Sequence, residues 1–221
     1  MNIKGAIFDF DGTIGDSLGY WEWQFEEISK IYCNGKKLSL TLEDDKKFRT
    51  SLITDSMKLL HEKYNIAKST DELIKYVNDS IKRFYLSEVK PKAGAIEYLE
   101  YLKSKGVKMC VASATAEPEL KVAVRCCGFE KYFDKVFSCS SLGFGKEKPD
   151  IFLTALDYLG TDINETYVFE DSLLALETSK KAGFKTVGIY DANNPYTEED
   201  IKKLSDVFIG ADKTLANLIE K

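Results

Sequence analysis

From Lys90 onward the chain alternates short β-branched or aromatic runs with amphipathic stretches that end in glycine, the pattern of βα units around a parallel sheet. In 95–105 the apolar positions are 95, 96, 98, 99, 101 and 102; the stretch stops at Gly106 and yields to a strand over 107–112. Pro118 opens a helix ending at Gly128 before a short strand at 136–137, and Asp150 opens one ending at Gly160 before a strand at 167–169. Leu173 opens a third, ending at Gly183 before a strand at 186–189, and 4–8 supplies one more strand at the start of the chain. Residues 16–88 contain no clear strand run but carry two helix-start signals, Thr41 with Asp44 and Ser69 with Glu72. The pattern predicts an α/β fold, a doubly wound parallel sheet built from 1–15 and 89–221, with an all-α domain inserted at 16–88. The two crossings fall near Gly15 and within 89–94.

The composition fits that picture: 221 residues, 44% hydrophobic and 30% charged, exclude a disordered chain. The formal charge of −5 speaks against nucleic acid or an anionic membrane as partner. A single histidine, His61, removes most catalytic triads and histidine-rich metal sites, so chemistry must rest on carboxylates, lysines and hydroxyls. The five cysteines are odd in number and include no CxxC, which predicts reduced thiols in a cytoplasmic protein. The opening segment turns acidic after a short apolar run, so neither a signal peptide nor a membrane span is expected there. A monomer is the default expectation.

In a doubly wound sheet ligands bind beyond the carboxyl ends of the strands. The first strand is followed by Asp9-Phe10-Asp11-Gly12-Thr13, the second by Ser113-Ala114-Thr115, and the one at 167–169 by Glu170-Asp171-Ser172; a loop carries Gly145-Lys146-Glu147-Lys148-Pro149-Asp150. Four carboxylates at one sheet edge repel one another by several kcal/mol at short range, unless a divalent cation sits among them. An all-oxygen donor set suits Mg²⁺. Ser113, the amides after it and a loop lysine supply the complementary half, a pocket for a dianionic group beside the metal. With no serine or cysteine paired to a base, the nucleophile left is a carboxylate, forming an aspartyl-phosphate.

Asp9-Phe10-Asp11-Gly12-Thr13, Ser113, Lys146 with Pro149-Asp150, and Glu170-Asp171 match in order the four motifs of the haloacid dehalogenase superfamily. The stretches 168–172 and 181–189 resemble its β-phosphoglucomutase and phosphoglycolate phosphatase branch, which carries a helical cap after the first motif. That resemblance implies a Rossmann-like core, a Mg²⁺ cofactor and a small phosphorylated metabolite as substrate. It implies that Asp9 attacks phosphorus, while Asp11 protonates the leaving oxygen and later activates water. It implies a metal site from Asp9, Asp11 through its backbone carbonyl, and Asp171, with Glu170 as a ligand or as support for one. Ser113 and the Ala114 amide would bind phosphate oxygens. The family spacing selects Lys146 over its neighbour Lys148 as the lysine that pairs with phosphate and Asp9.

Other features have plainer readings. Gly143-Phe144-Gly145-Lys146 is no nucleotide P-loop, because Ser140 and Glu147 occupy positions where that motif needs glycine and a hydroxyl. His61 lies on a helix face of the insertion and reads as structural, Cys126-Cys127 read as packing, and Lys46, Lys47, Arg49 and Lys58 read as a solvated face. Tyr20, Trp21, Trp23 and Phe25 crowd the start of the insertion, as packing or as part of a substrate wall. Hexose-phosphate mutases of the branch carry a histidine four positions after the hydroxyl residue of their Asp-Ser/Thr pair; counting from Asp16-Ser17 lands on Trp21. This favours hydrolysis of a phosphate monoester over a β-phosphoglucomutase-like reaction. A receiver-type phosphorylation switch and a silent binding protein are the alternatives from other classes.

Overall fold

The computed structural model describes residues 2–219. By contact density the chain divides into two compact units, one running to Ser17 and resuming at Val89, the other Leu18–Glu88.

The first unit holds a six-stranded parallel sheet. Its strands are β1 (Gly5–Phe8), β4 (Lys108–Ser113), β5 (Val136–Ser138), β6 (Thr166–Glu170), β7 (Lys185–Ile189) and β8 (Val207–Ile209), in the spatial order β5-β4-β1-β6-β7-β8. Numbered by appearance among the parallel strands this is 3-2-1-4-5-6, the doubly wound order, whose direction reverses at β1. Phe8 pairs in register with Val111 on one side and Phe169 on the other, so β1 is central. Central strands buried on both faces need continuous apolar residues. Ala6, Ile7, Phe8, Val111, Ala112, Val168 and Phe169 are fully buried, and the rings of Phe8 and Phe169 stack at 4.3 Å. The helices of this unit are α5 (Ala95–Ser104), α6 (Glu117–Cys126), α7 (Cys139–Leu142), α8 (Asp150–Leu159), α9 (Leu173–Lys181) and α10 (Glu198–Leu204). α8 ends where Gly160 enters the left-handed region at φ 61° and returns its N–H to the Leu156 carbonyl, as the sequence pattern predicts.

Several elements lie beyond the sequence reading: the helices α7 and α10, one further strand of the sheet, and a short ladder. β8 extends the sheet by a sixth strand; its three residues lie in a half-polar stretch that gives little periodicity to read. A two-stranded antiparallel ladder, β2 (Gly15–Asp16) with β3 (Lys90–Pro91), joins the chain on either side of the insertion. Such short strands carry no pattern of their own and exist only because the two crossings meet.

The second unit consists of α1 (Gly19–Tyr32), α2 (Leu42–Thr50), α3 (Ile53–Tyr64) and α4 (Thr70–Ser87). Thr41 and Ser69 cap α2 and α4 by accepting the amides of Asp44 and Glu72, each at 3.2 Å. Met57, Leu60, Leu73 and Val77 are fully buried where α3 faces α4. Tyr20 packs on Phe84 at 5.0 Å and Phe25 on Phe48 at 4.9 Å, so both serve the packing of this unit, while Trp23 is 43% exposed. His61 joins the Ile66 carbonyl at the end of α3, and Lys58 sits on the exposed face beside Glu62. The side chains of Trp21, Lys46 and Arg49 lie outside the described residues. Among the described residues no helix is long and apolar enough to cross a membrane. Cys127 is buried as expected of a packing residue, but its neighbour Cys126 is exposed: α6 ends there and turns it outward.

Candidate active site

Because β1 lies at the reversal of strand order, the turn that follows it opens into the crevice flanked by β4 and β6. Asp9 continues β1, its N–H bonded to the Phe169 carbonyl at 2.9 Å, and the residue is 6% exposed. Gly12 then takes φ 79°, a left-handed conformation that a side chain would strain, and its N–H closes the turn on the Gly15 carbonyl at 3.0 Å. At the end of β6, Glu170 is 1% and Asp171 5% exposed.

Lys146 reaches this buried acid from the loop between α7 and α8. Its Nζ donates to Asp9 Oδ1 and to Glu170 Oε1, each at 2.5 Å. Lys148 is exposed and takes no part in the cluster. Oxygens of Asp9, Glu170 and Asp171 lie within 4.8 Å of one another. Three carboxylates against one ammonium leave a formal surplus of two negative charges in a largely buried site. Burial accordingly pushes the Asp171 carboxyl up to about 7, with Asp9 adding to the rise and Lys92 and Lys146 opposing it. Burial raises Asp9 and Glu170 too, Lys146 pulling both back. For Lys146 burial works against the charge, but Asp9 and Glu170 outweigh it and hold the ammonium above its ordinary range. An unneutralised, all-oxygen, buried donor set fits a divalent cation.

Asp11 is set apart from this group by its side chain. Its two oxygens accept from Ser17 Oγ and from Thr115 Oγ1, both at 2.6 Å. The sequence reading gathers four carboxylates; the structure gathers three and gives the fourth a separate, hydroxyl-lined setting. The main-chain carbonyl expected of Asp11 at the metal is not in conflict with this. Ser113 ends β4 with 1% exposure and its Oγ accepts the Thr115 amide at 3.1 Å, while Ala114 beside it is exposed.

Thr13 closes the first motif without an assigned role, and Asn194, Lys92 and Asp191 lie outside the motifs altogether. Thr13 Oγ1 donates to Asp171 Oδ1 at 3.4 Å, and Asn194 Nδ2 donates to Asp171 Oδ2 at 2.8 Å. Lys92 donates to the Gly12 carbonyl and pairs with Asp191 at 2.7 Å. A signal for the last group is present in the sequence: Asp191-Ala192-Asn193-Asn194 follows the strand ending at Ile189, on the same sheet edge as the other polar runs. Lys92 stands in the return crossing, where nothing in the local pattern marks it.

The fold and this centre define a doubly wound α/β protein that holds buried carboxylates and a lysine at its switch point. The chain belongs to the haloacid dehalogenase-like hydrolase family, whose sequence model matches residues 6–189. It is similar to the phosphorylated carbohydrates phosphatase of Thermotoga maritima, 28% identical over 185 residues that cover 84% of this chain and 84% of that one. Similarity also extends to the phosphoglycolate phosphatase of Aquifex aeolicus, 26% identical over 214 residues, 93% of this chain and 95% of the relative. The solved structure of β-phosphoglucomutase from Clostridium difficile superposes with a TM-score of 0.76 over 98% of this chain and 93% of its own, at 17% identity, a likeness of fold. The protein is an enzyme acting on phosphate esters.

Proposed function

We propose that the protein is a Mg²⁺-dependent phosphatase that hydrolyses a small phosphate monoester through a phosphorylated Asp9. The reading rests chiefly on the division of environments between two aspartates two residues apart. Asp9 is buried, ionically joined to Lys146 and grouped with Glu170 and Asp171. Asp11 is held by two hydroxyls outside that group. Carboxylates in contrasting surroundings are suited to different roles in one reaction.

Asp9, Glu170 and Asp171 would hold the divalent cation, which when bound neutralises phosphate charge. An Asp9 oxygen attacks phosphorus and the bond from phosphorus to the ester oxygen breaks. Asp11, as general acid, gives a proton to that departing oxygen. The carboxylate it becomes then takes a proton from water; the water oxygen attacks phosphorus, and the acyl-phosphate bond breaks to return Asp9 and release phosphate. Lys146 orients Asp9 and offsets the charge that gathers on the transferring group. Ser113 and the Ala114 amide would receive phosphate oxygens. Leu18–Glu88, inserted after the first strand, corresponds in sequence position to a cap, and the substrate would be a phosphorylated metabolite such as a sugar phosphate.

The test is release of phosphate from 4-nitrophenyl phosphate. Turnover is expected with Mg²⁺ and not with chelator, abolished by Asp9→Asn, and reduced by about 10²–10⁴ in Asp11→Asn, the usual span for a lost general acid and base. Undiminished turnover in Asp9→Asn would refute the mechanism. Interconversion of glucose 1-phosphate and glucose 6-phosphate would point instead to a mutase, and an acyl-phosphate lasting minutes to a switch.

A further inference from the structure

Asp171 is gripped on every oxygen it has. Thr13 Oγ1 donates to Oδ1 at 3.4 Å, and Asn194 Nδ2 donates both to Oδ2 at 2.8 Å and to the Asp171 carbonyl at 3.0 Å. The orientation of the Asn194 amide is settled by its other end, because the Tyr196 N–H donates to Asn194 Oδ1 at 3.3 Å and an N–H meets only an acceptor. The NH₂ group therefore faces Asp171, one proton for each acceptor. Holding the main-chain and side-chain oxygens of one residue at once fixes that residue's χ1. Three buried carboxylates would otherwise relieve their repulsion by rotating apart. A neutral amide prevents this without adding a positive charge that would compete with a cation.

Asn194 is itself fixed by its turn. Asp191 accepts the Asn193 N–H on Oδ1 at 2.8 Å and the Asn194 N–H on its carbonyl at 3.0 Å. Its other carboxylate oxygen pairs with Lys92 at 2.7 Å, where Asp191 is 6% and Lys92 17% exposed in their side chains. Lys92 also donates to the Gly12 carbonyl, in the turn that carries Asp9 and Asp11. The turn at 191–194 is thus tied to the metal-binding acid at one end and to the nucleophile turn at the other.

We propose that Asn194 is a positioning residue for the divalent cation, holding Asp171 in the rotamer that meets the ion, and that the Asp191–Lys92 ion pair anchors the turn that presents it. This rests on the reading of Asp171 as a metal ligand.

Mn²⁺ binding to the whole, substrate-free protein, followed by electron paramagnetic resonance of the free ion, tests it. Asn194→Ala is expected to weaken Mn²⁺ by about 10–100-fold, the range for loss of a group supporting a metal ligand, with native circular dichroism. The Mg²⁺ concentration for half-maximal turnover should rise by a similar factor while kcat at saturating Mg²⁺ stays within about threefold, a split that general loosening of the fold would not produce. Lys92→Met should weaken Mn²⁺ in the same direction but less, and an unchanged value would remove the ion pair from the proposal. Asn194→Ser, too short to reach Asp171, carries the same expectation should the alanine variant not fold. Asp171→Asn separates the layers. If it loses Mn²⁺ while Asn194→Ala binds within twofold of wild type, the role of Asn194 is refuted and the metal site stands; if Asp171→Asn retains Mn²⁺, both fall.

Discussion

Replacing Lys146 by methionine removes the one ammonium inside the carboxylate cluster while nearly keeping its volume. At 2.5 Å and an effective dielectric of about 20, each of its two attractions is worth about 7 kcal/mol before desolvation. Much of that is consumed by burying the charges, and truncating one member of a buried pair typically costs about 3–5 kcal/mol. The cluster then carries three formal negative charges and no ammonium, so it responds by binding protons. Asp9, Glu170 and Asp171 are already raised above their ordinary range by burial, and Lys146 is among the influences that lower each. An acid whose pKa is higher folded than unfolded lends stability below its unfolded value and loses it as pH climbs through the folded one. In Lys146→Met the folded values rise further, so the variant should be about 3–5 kcal/mol less stable near pH 8 and should close part of that gap near pH 5. Mg²⁺ should recover more stability in the variant than in wild type. Urea unfolding followed by far-UV circular dichroism, with chelator and with Mg²⁺, makes the measurement; both tryptophans, Trp21 and Trp23, belong to the helical unit, so their fluorescence cannot report it. A gap that is constant from pH 5 to pH 8, or wider at pH 5, would refute the electrostatic account.

The same carboxylates tie metal binding to pH. With Asp171 raised to about 7 by burial and by Asp9, a cation must displace a proton below that value, so Mg²⁺ affinity measured calorimetrically should be about tenfold weaker at pH 6 than at pH 8. In the helical unit, Asp44 accepts from Lys63, Tyr64 and Thr41, and these bonds hold its carboxyl well below the usual range. A depressed acid stabilises above its unfolded pKa and loses that contribution as pH falls. Tryptophan-fluorescence melts of Asp44→Asn should therefore lie below wild type at pH 6 and converge with it as pH falls below about 4; parallel curves would exclude the role.

Much of the fold was legible because it is local. Helix caps at Thr41 and Ser69, the stop at Gly160 and the apolar runs that become β1, β4, β6 and β7 are each dictated by a few neighbouring residues. The carboxyl ends of those strands could be read as a site because a doubly wound sheet brings them to one edge. Asp9, Ser113, Glu170 and Asp171 were identified on that argument and on the order of the motifs.

What the sequence could not express is which groups touch. Order along the chain makes Asp9 and Asp11 look like a matched pair, yet the turn at Gly12 and the hydroxyls of Ser17 and Thr115 give them unlike surroundings. Motif spacing prefers Lys146 to Lys148, but only the path of the loop into the crevice brings its ammonium to Asp9 and Glu170 together. Lys92, Asp191 and Asn194 bear on the same centre across separations of 23 to 99 residues, through a few hydrogen bonds and one ion pair. Local periodicity reports whether a residue faces a core; a directional contact between distant residues exists only once the sheet has set their separation to a few ångströms.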